Sequence, residues 1–175
     1  MPPLQLRRVL WAAITLASVV MFGLLWVVEH PPAPAEPLFG PVLAVVAAVE
    51  AIVSFLLPRH LARQALASTP AAIVDEPDPD ASIGFRDRAA TRRAFADPAA
   101  LQARVDELSQ MSLVLTCALR ESIAIFGLIL GVLGFDLPWV APFFVAAWLL
   151  LALAFPTGRE LDGLVLTTYG VPLRR

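Results

Sequence analysis

Between Thr116 and Gly131 the chain is apolar enough to lie in hydrocarbon, yet it carries Arg120 and Glu121 side by side. No other stretch constrains the fold as much. A charge near the centre of a bilayer costs about 2.5–3.5 kcal/mol on insertion scales, so such groups face protein or a watered cavity rather than lipid. Three more apolar runs accompany this one. Val9–Val28 has no charged side chain, Leu38–Leu57 is interrupted only by Glu50, and Trp139–Phe155 has none. About twenty apolar residues span a hydrocarbon core as a helix. Hydrophobic residues make up 58% of the chain and charged ones 16%, which sets it apart from soluble domains. The expected fold is an all-α membrane protein with four transmembrane helices, at 9–28, 38–57, 111–134 and 139–155.

The segments between the runs complete the organisation. Residues 1–58 form a first helix pair. Pro31, Pro32, Pro34 and Pro37 stop the first helix after Glu29. Pro34 also suits a leader cleavage site poorly, so 9–28 reads as a span and not as a removed signal. Pro58-Arg59 closes the second span, and Arg59–Leu66 continues as a basic interfacial helix. Residues 59–110 form the one long hydrophilic loop. In it, Val74-Asp75-Glu76-Pro77-Asp78-Pro79-Asp80 alternates acid and proline, so 74–80 is expected to be extended, solvated and disordered. Arg86, Arg88, Arg92 and Arg93 suit a membrane-surface role. Asp97-Pro98 has the form of a helix start, with an N-cap followed by proline in the first turn. No breaker follows, so one long helix is predicted from Pro98 to about Gly134, its first part a cytoplasmic stalk. Residues 111–156 form a second helix pair, joined by the turn Phe135-Asp136-Leu137-Pro138. Residues 157–175 form a tail on which no structure is imposed.

Every basic residue apart from the histidines is an arginine, and their placement sets the topology. Two precede the first span, seven lie in 59–110 and three in the tail, while the two other loops contain none. The positive-inside rule then puts both termini and the central loop in the cytoplasm of a bacterial-type inner (plasma) membrane.

Depth brings Glu50, Arg120 and Glu121 together. Each lies about 12–15 Å from the cytoplasmic end of its span at 1.5 Å per residue. On the third span Ser112, Thr116, Arg120, Ala124, Gly127, Gly131 and Gly134 form one stripe at helical spacing. Gly127 and Gly131 make a Gly-x-x-x-Gly that permits close helix approach. On the second, Gly40, Ala44, Ala47, Ala51 and Ser54 form a similar stripe with Glu50 beside it. The two stripes are expected to meet, with Arg120 paired to Glu50 as a polar clamp. Glu121 projects about 100° away, beside Cys117, Ile125 and Leu128. One arginine does not compensate two acids, so the alternative reading is a proton- or cation-linked site.

Glu121-Ser122-Ile123-Ala124-Ile125-Phe126-Gly127-Leu128-Ile129-Leu130-Gly131 resembles the ion-carrying helix of the proteolipid (c) subunit of rotary ATP synthases. That likeness implies an ion-binding carboxylate at Glu121 with Ser122 as its neighbour. Arg120 beside the acid and the long central loop depart from the family pattern. The whole chain also resembles four-span bacterial integral membrane proteins of uncharacterised activity, which implies a topology and no chemistry.

The functional expectation is a structural or accessory membrane subunit; a transport component is the alternative. No nucleophile–base pair, phosphate loop or Cys/His cluster is legible, so no enzyme, metal or cofactor is expected. His30 and His60 fall at opposite membrane surfaces, and Cys117 reads as a small packing residue. Expected partners are the lipid bilayer, other membrane subunits or further copies of the chain. A net charge of −2 gives no reason to expect nucleic acid.

Overall fold

The computed structural model describes residues 3–27, 36, 38–77, 91–158 and 160–172. In chain order these form α1 (Pro3–Leu24), α2 (Phe39–Ala67), β1 (Ile73–Pro77), β2 (Thr91–Phe95), α3 (Pro98–Val132), α4 (Leu137–Ala152) and α5 (Asp162–Tyr169). Of the described residues 75% are helical. Three helices, α1, α2 and α3, are long and apolar enough to cross a membrane, and α4 is a shorter apolar helix. The strands correct the all-α expectation.

Two compact units divide the residues, Met1–Leu61 with Gln110–Gly158 and Ala62–Ser109 with Arg159–Arg175. In the first unit the core is aromatic and lies where α4 meets α1 and α3. Phe144 and Ala147 are fully buried, with Val140, Ile123, Ala124 and Leu130 around them. Phe22 meets Phe144 and Trp148 edge-on, at centroid separations of 5.0 and 5.5 Å. Such pairs add about 0.5–1.5 kcal/mol beyond their buried area. The Trp148 indole N–H donates to Ser18 Oγ at 3.1 Å, so a polar group on α1 is satisfied within this core. The outward faces are equally apolar: Leu16, Val45, Ile52 and Leu149 are each 60% exposed or more. In water such continuous apolar surface is a liability, and hydrocarbon removes it.

The helix ends follow local chemistry. Asp97 caps α3 as predicted, its Oδ1 accepting from the Ala100 amide at 2.9 Å. At the other end Gly134 takes φ 85°, the left-handed conformation that suits glycine, and the Phe135 amide reaches back to Leu130 O at 3.0 Å. Pro58 does not close α2, contrary to expectation. The helix runs through it to Ala67, with Pro58 buried. Proline lacks the N–H that would bond the carbonyl four residues back, here Ser54, so tertiary packing outweighs the local penalty.

The second unit is a small α+β assembly. Its core joins Ala62 and Leu66 of α2, Phe95 of β2, Leu101, Val105 and Leu108 of α3, Leu161, Val165 of α5, and Val171. β1 and β2 pair antiparallel, Ile73 opposite Phe95, Asp75 opposite Arg93 and Glu76 opposite Arg92. The acid–proline segment expected to be disordered is therefore strand over residues 74–77, while 78–80 lie outside the described residues. Of the arginine group, Arg92 and Arg93 belong to β2, and Arg86 and Arg88 lie outside the described residues. The register sets opposite charges directly across the ladder, an arrangement a strand tolerates better than like charges.

The tail is structured as well. α5 ends at Gly170 with φ 67°, and Tyr169 Oη donates toward Leu66 O at 2.7 Å and Thr69 O at 3.0 Å. Leu66 lies in the last turn of α2 and Thr69 just beyond it. Burial pushes the Tyr169 phenol above its ordinary value near 10. The neutral form is thus favoured by folding; that stability is complete below the unfolded value and is lost as pH rises through the folded one. Tyr169 is the sole tyrosine. A spectrophotometric titration should show one phenolate transition displaced upward, returning to the ordinary value on unfolding. Tyr169→Phe should abolish the transition and cost about 1 kcal/mol.

Candidate functional site

The intramembrane groups named from the sequence all fall in the first unit, but their partners differ from the expected ones. Arg120 is buried, with 3% of its surface exposed. Its Nε donates to Ser54 Oγ at 3.3 Å, and Nη1 donates to the backbone carbonyl of Leu150. The guanidinium carbon lies 4.6 Å from the centroid of the Phe55 ring. Glu50 instead accepts from Ser122 Oγ. No ion pair joins Arg120 to Glu50, and the predicted clamp is corrected accordingly. The reason is register: Ser54, one turn beyond Glu50 on α2, occupies the position facing Arg120, and Ser122, two residues on, faces Glu50.

The bond to Leu150 explains why an arginine stands there. The last four carbonyls of a helix have no intrahelical donor. In α4 each nevertheless has one. Leu149 O accepts from the Leu153 amide at 3.1 Å, Leu151 O from the Ala154 amide at 2.9 Å, and Ala152 O from the Phe155 amide at 3.2 Å. Leu150 O accepts from Arg120, and Leu151 O also accepts from the Trp11 indole N–H at 2.8 Å. A cation at this end also suits the negative pole of the helix dipole. Arg120 is thus a C-terminal cap supplied by another helix. The pattern of intramembrane charge found the residue; nothing in the sequence marked a carbonyl as its partner.

Glu121 makes no hydrogen bond or ion pair with any of the described residues. It is half-buried and lies in the outward row of α3, between exposed Ala118 and Ile125. Ser122 has one hydroxyl proton and two acceptors in reach, Glu50 and, at 2.8 Å, Leu119 O. Cys117 is a buried free thiol. His60 lies on α2, and His30 lies outside the described residues.

Gly127 and Gly131 are packing residues, yet they do not face the small stripe of α2. A Cβ on Gly127 would lie 2.9 Å from Phe143 Cβ and 2.9 Å from the Phe144 ring. One on Gly131 would collide with the side chain of Leu25, just past α1. On α2, Gly40 faces the Trp139 ring, 3.4 Å from its would-be Cβ. Gly127, Gly131 and Gly40 of the two small stripes therefore receive aromatic and leucine side chains, and the stripes touch where Arg120 meets Ser54.

No protein-family model matches the chain, and neither a curated protein nor a solved structure matches it.

Proposed function

We propose that the protein is a structural or accessory subunit of a bacterial-type inner membrane, crossing it four times with both termini and residues 59–110 in the cytoplasm. In this reading α4 is the fourth span, and the start of α3 is the cytoplasmic stalk. The observation that carries the proposal is the engagement of Arg120: it is buried, and its Nε and Nη1 are turned to a serine and a helix end, partners that hold helices together. Four crossings make that cap necessary. At 1.5 Å per residue the sixteen residues of α4 reach about 24 Å, short of the roughly 30 Å hydrocarbon core. The final carbonyls of α4 then end where no water reaches, and every backbone polar group there needs a protein partner. The arginine distribution supports the orientation. Isolation of the protein from its native membrane in mild detergent tests the role. A stable complex of higher mass supports it; a protein that is always monomeric refutes it.

Ser122 favours a second reading, a proton- or cation-linked transport component. Its single proton serves two acceptors, so a proton arriving at Glu50 completes the set. Glu121, without a described partner, lies on the adjoining position. Reconstituted protein should then carry a pH-dependent flux that Glu50→Gln and Glu121→Gln reduce. An unchanged ion permeability of the vesicles rejects it.

A further inference from the structure

Among the described residues nothing covers the α3 row that contains Glu121. Val114 is 43% exposed, Ile125 38%, Ile129 41% and Val132 46%, with Ala118 exposed beside the carboxylate. Spacings of four and three keep these residues on one face over five turns. Inside the proposed bilayer this is an apolar ridge with one carboxylate at its centre, and Glu121 has no hydrogen-bond or ion-pair partner among the described residues. Lipid does not solvate such a group, and intramembrane acids pair with other groups or face water.

Among the described residues no cation pairs with Glu121. Arg120 is buried and engaged by Leu150 O, Ser54 and Phe55. The other twelve arginines lie outside the apolar runs. A second copy has the same shortage, and a two-fold contact through this ridge would set carboxylate against carboxylate. Ala118, one turn before Glu121, leaves room for a neighbouring backbone to approach.

We infer that this ridge is the docking face for a transmembrane helix of a different membrane protein, and that the incoming helix presents a basic side chain to Glu121. The inference rests on the accessory-subunit reading and names the surface that reading requires. Charge complementarity chooses the occupant, and the exposed rows on either side of Glu121 supply the packing.

Full-length protein, fluorescently labelled and reconstituted in phosphatidylcholine vesicles, tests this by energy transfer to synthetic Leu/Ala transmembrane helices. The helices carry one arginine, or leucine in its place, at the depth of Glu121. The arginine helix should associate about tenfold more tightly than the leucine helix, as expected for an interhelical polar contact of about 1–2 kcal/mol. Glu121→Gln should abolish that preference, and Glu107→Gln, which removes an equal charge from an exposed position on α3, should leave it intact. Equal association of both helices, or a preference that survives in Glu121→Gln, overturns the inference. So does self-association of the labelled protein that Glu121→Gln disrupts, since the ridge then belongs to a second copy. A native complex that persists unchanged with Glu121→Gln defeats the docking face while leaving the accessory role standing; a protein monomeric in its native membrane defeats both.

Discussion

Gly127→Val should destabilise the first unit by about 3 kcal/mol, read as a lowered unfolding midpoint in detergent. The first added carbon would already stand 2.9 Å from Phe143 Cβ and from the Phe144 ring, closer than carbon atoms pack. Phe143 Cβ is one bond from its own backbone, so it moves only if α4 moves. Phe144 is fully buried among Phe22, Trp148 and the α3 helix, and its ring has nowhere to swing. Overpacking of this kind costs about 1–3 kcal/mol per site, and the branched valine adds two methyls to the same gap. Gly131→Ala is the control. Its Cβ would meet a terminal methyl of Leu25, the far end of a flexible side chain. The helix-propensity gain of alanine over glycine, about 1 kcal/mol, offsets part of the cost of turning that buried side chain aside, so Gly131→Ala should cost clearly less than Gly127→Val. Equal effects at the two glycines would show that α4 does not press against α3 as described.

The apolar runs, the Asp97 cap and the unbroken course of α3 were legible because each depends on local pattern: run length, a capping carboxylate, a stretch without breakers. Tertiary partners were not. Arg120 and Glu50 share a depth and lie on facing helices, and opposite charge made them the obvious pair. The choice between Glu50 and Ser54 is one helical turn, which depth arithmetic does not resolve. Nor does side-chain chemistry identify a backbone carbonyl as a partner, since every residue has one. The small stripes had the same defect, because small residues signal close approach without naming what approaches. Asp75, Glu76 and Pro77 have low strand propensity, and only pairing with Arg93, Arg92 and Thr91 accounts for β1. The tail helix likewise depends on its burial of Leu161 and Val165 against α2 and α3 residues distant in sequence.

Arg120→Leu should cost about 2–3 kcal/mol, and Glu50→Leu about 1 kcal/mol or less, with the double variant close to their sum. Two terms oppose each other at Arg120. Removing the guanidinium abolishes the penalty of a buried charge, and a leucine there suits its apolar surroundings. Against that, Leu150 O is left without a donor at the end of α4, a loss of about 1–3 kcal/mol for an unsatisfied buried group, and Ser54 and Phe55 lose their partner as well. The backbone term dominates because no other described donor reaches that carbonyl. Arg120→Lys should recover less than half of the loss, since one ammonium does not reproduce a fork that bonds two acceptors and stacks on a ring. Hydrogen exchange distinguishes the cap from an ion pair directly. With Arg120→Leu, amides 153–155, which close the last turn of α4, should exchange faster; with Glu50→Leu they should be unchanged. Were the two residues an ion pair, each single variant would leave an uncompensated charge costing about 3–5 kcal/mol, and the double variant would recover most of it. Recovery in the double variant would therefore restore the Arg120–Glu50 clamp, and additivity within about 0.5 kcal/mol establishes the separate attachments, Arg120 to the end of α4 and Glu50 to Ser122.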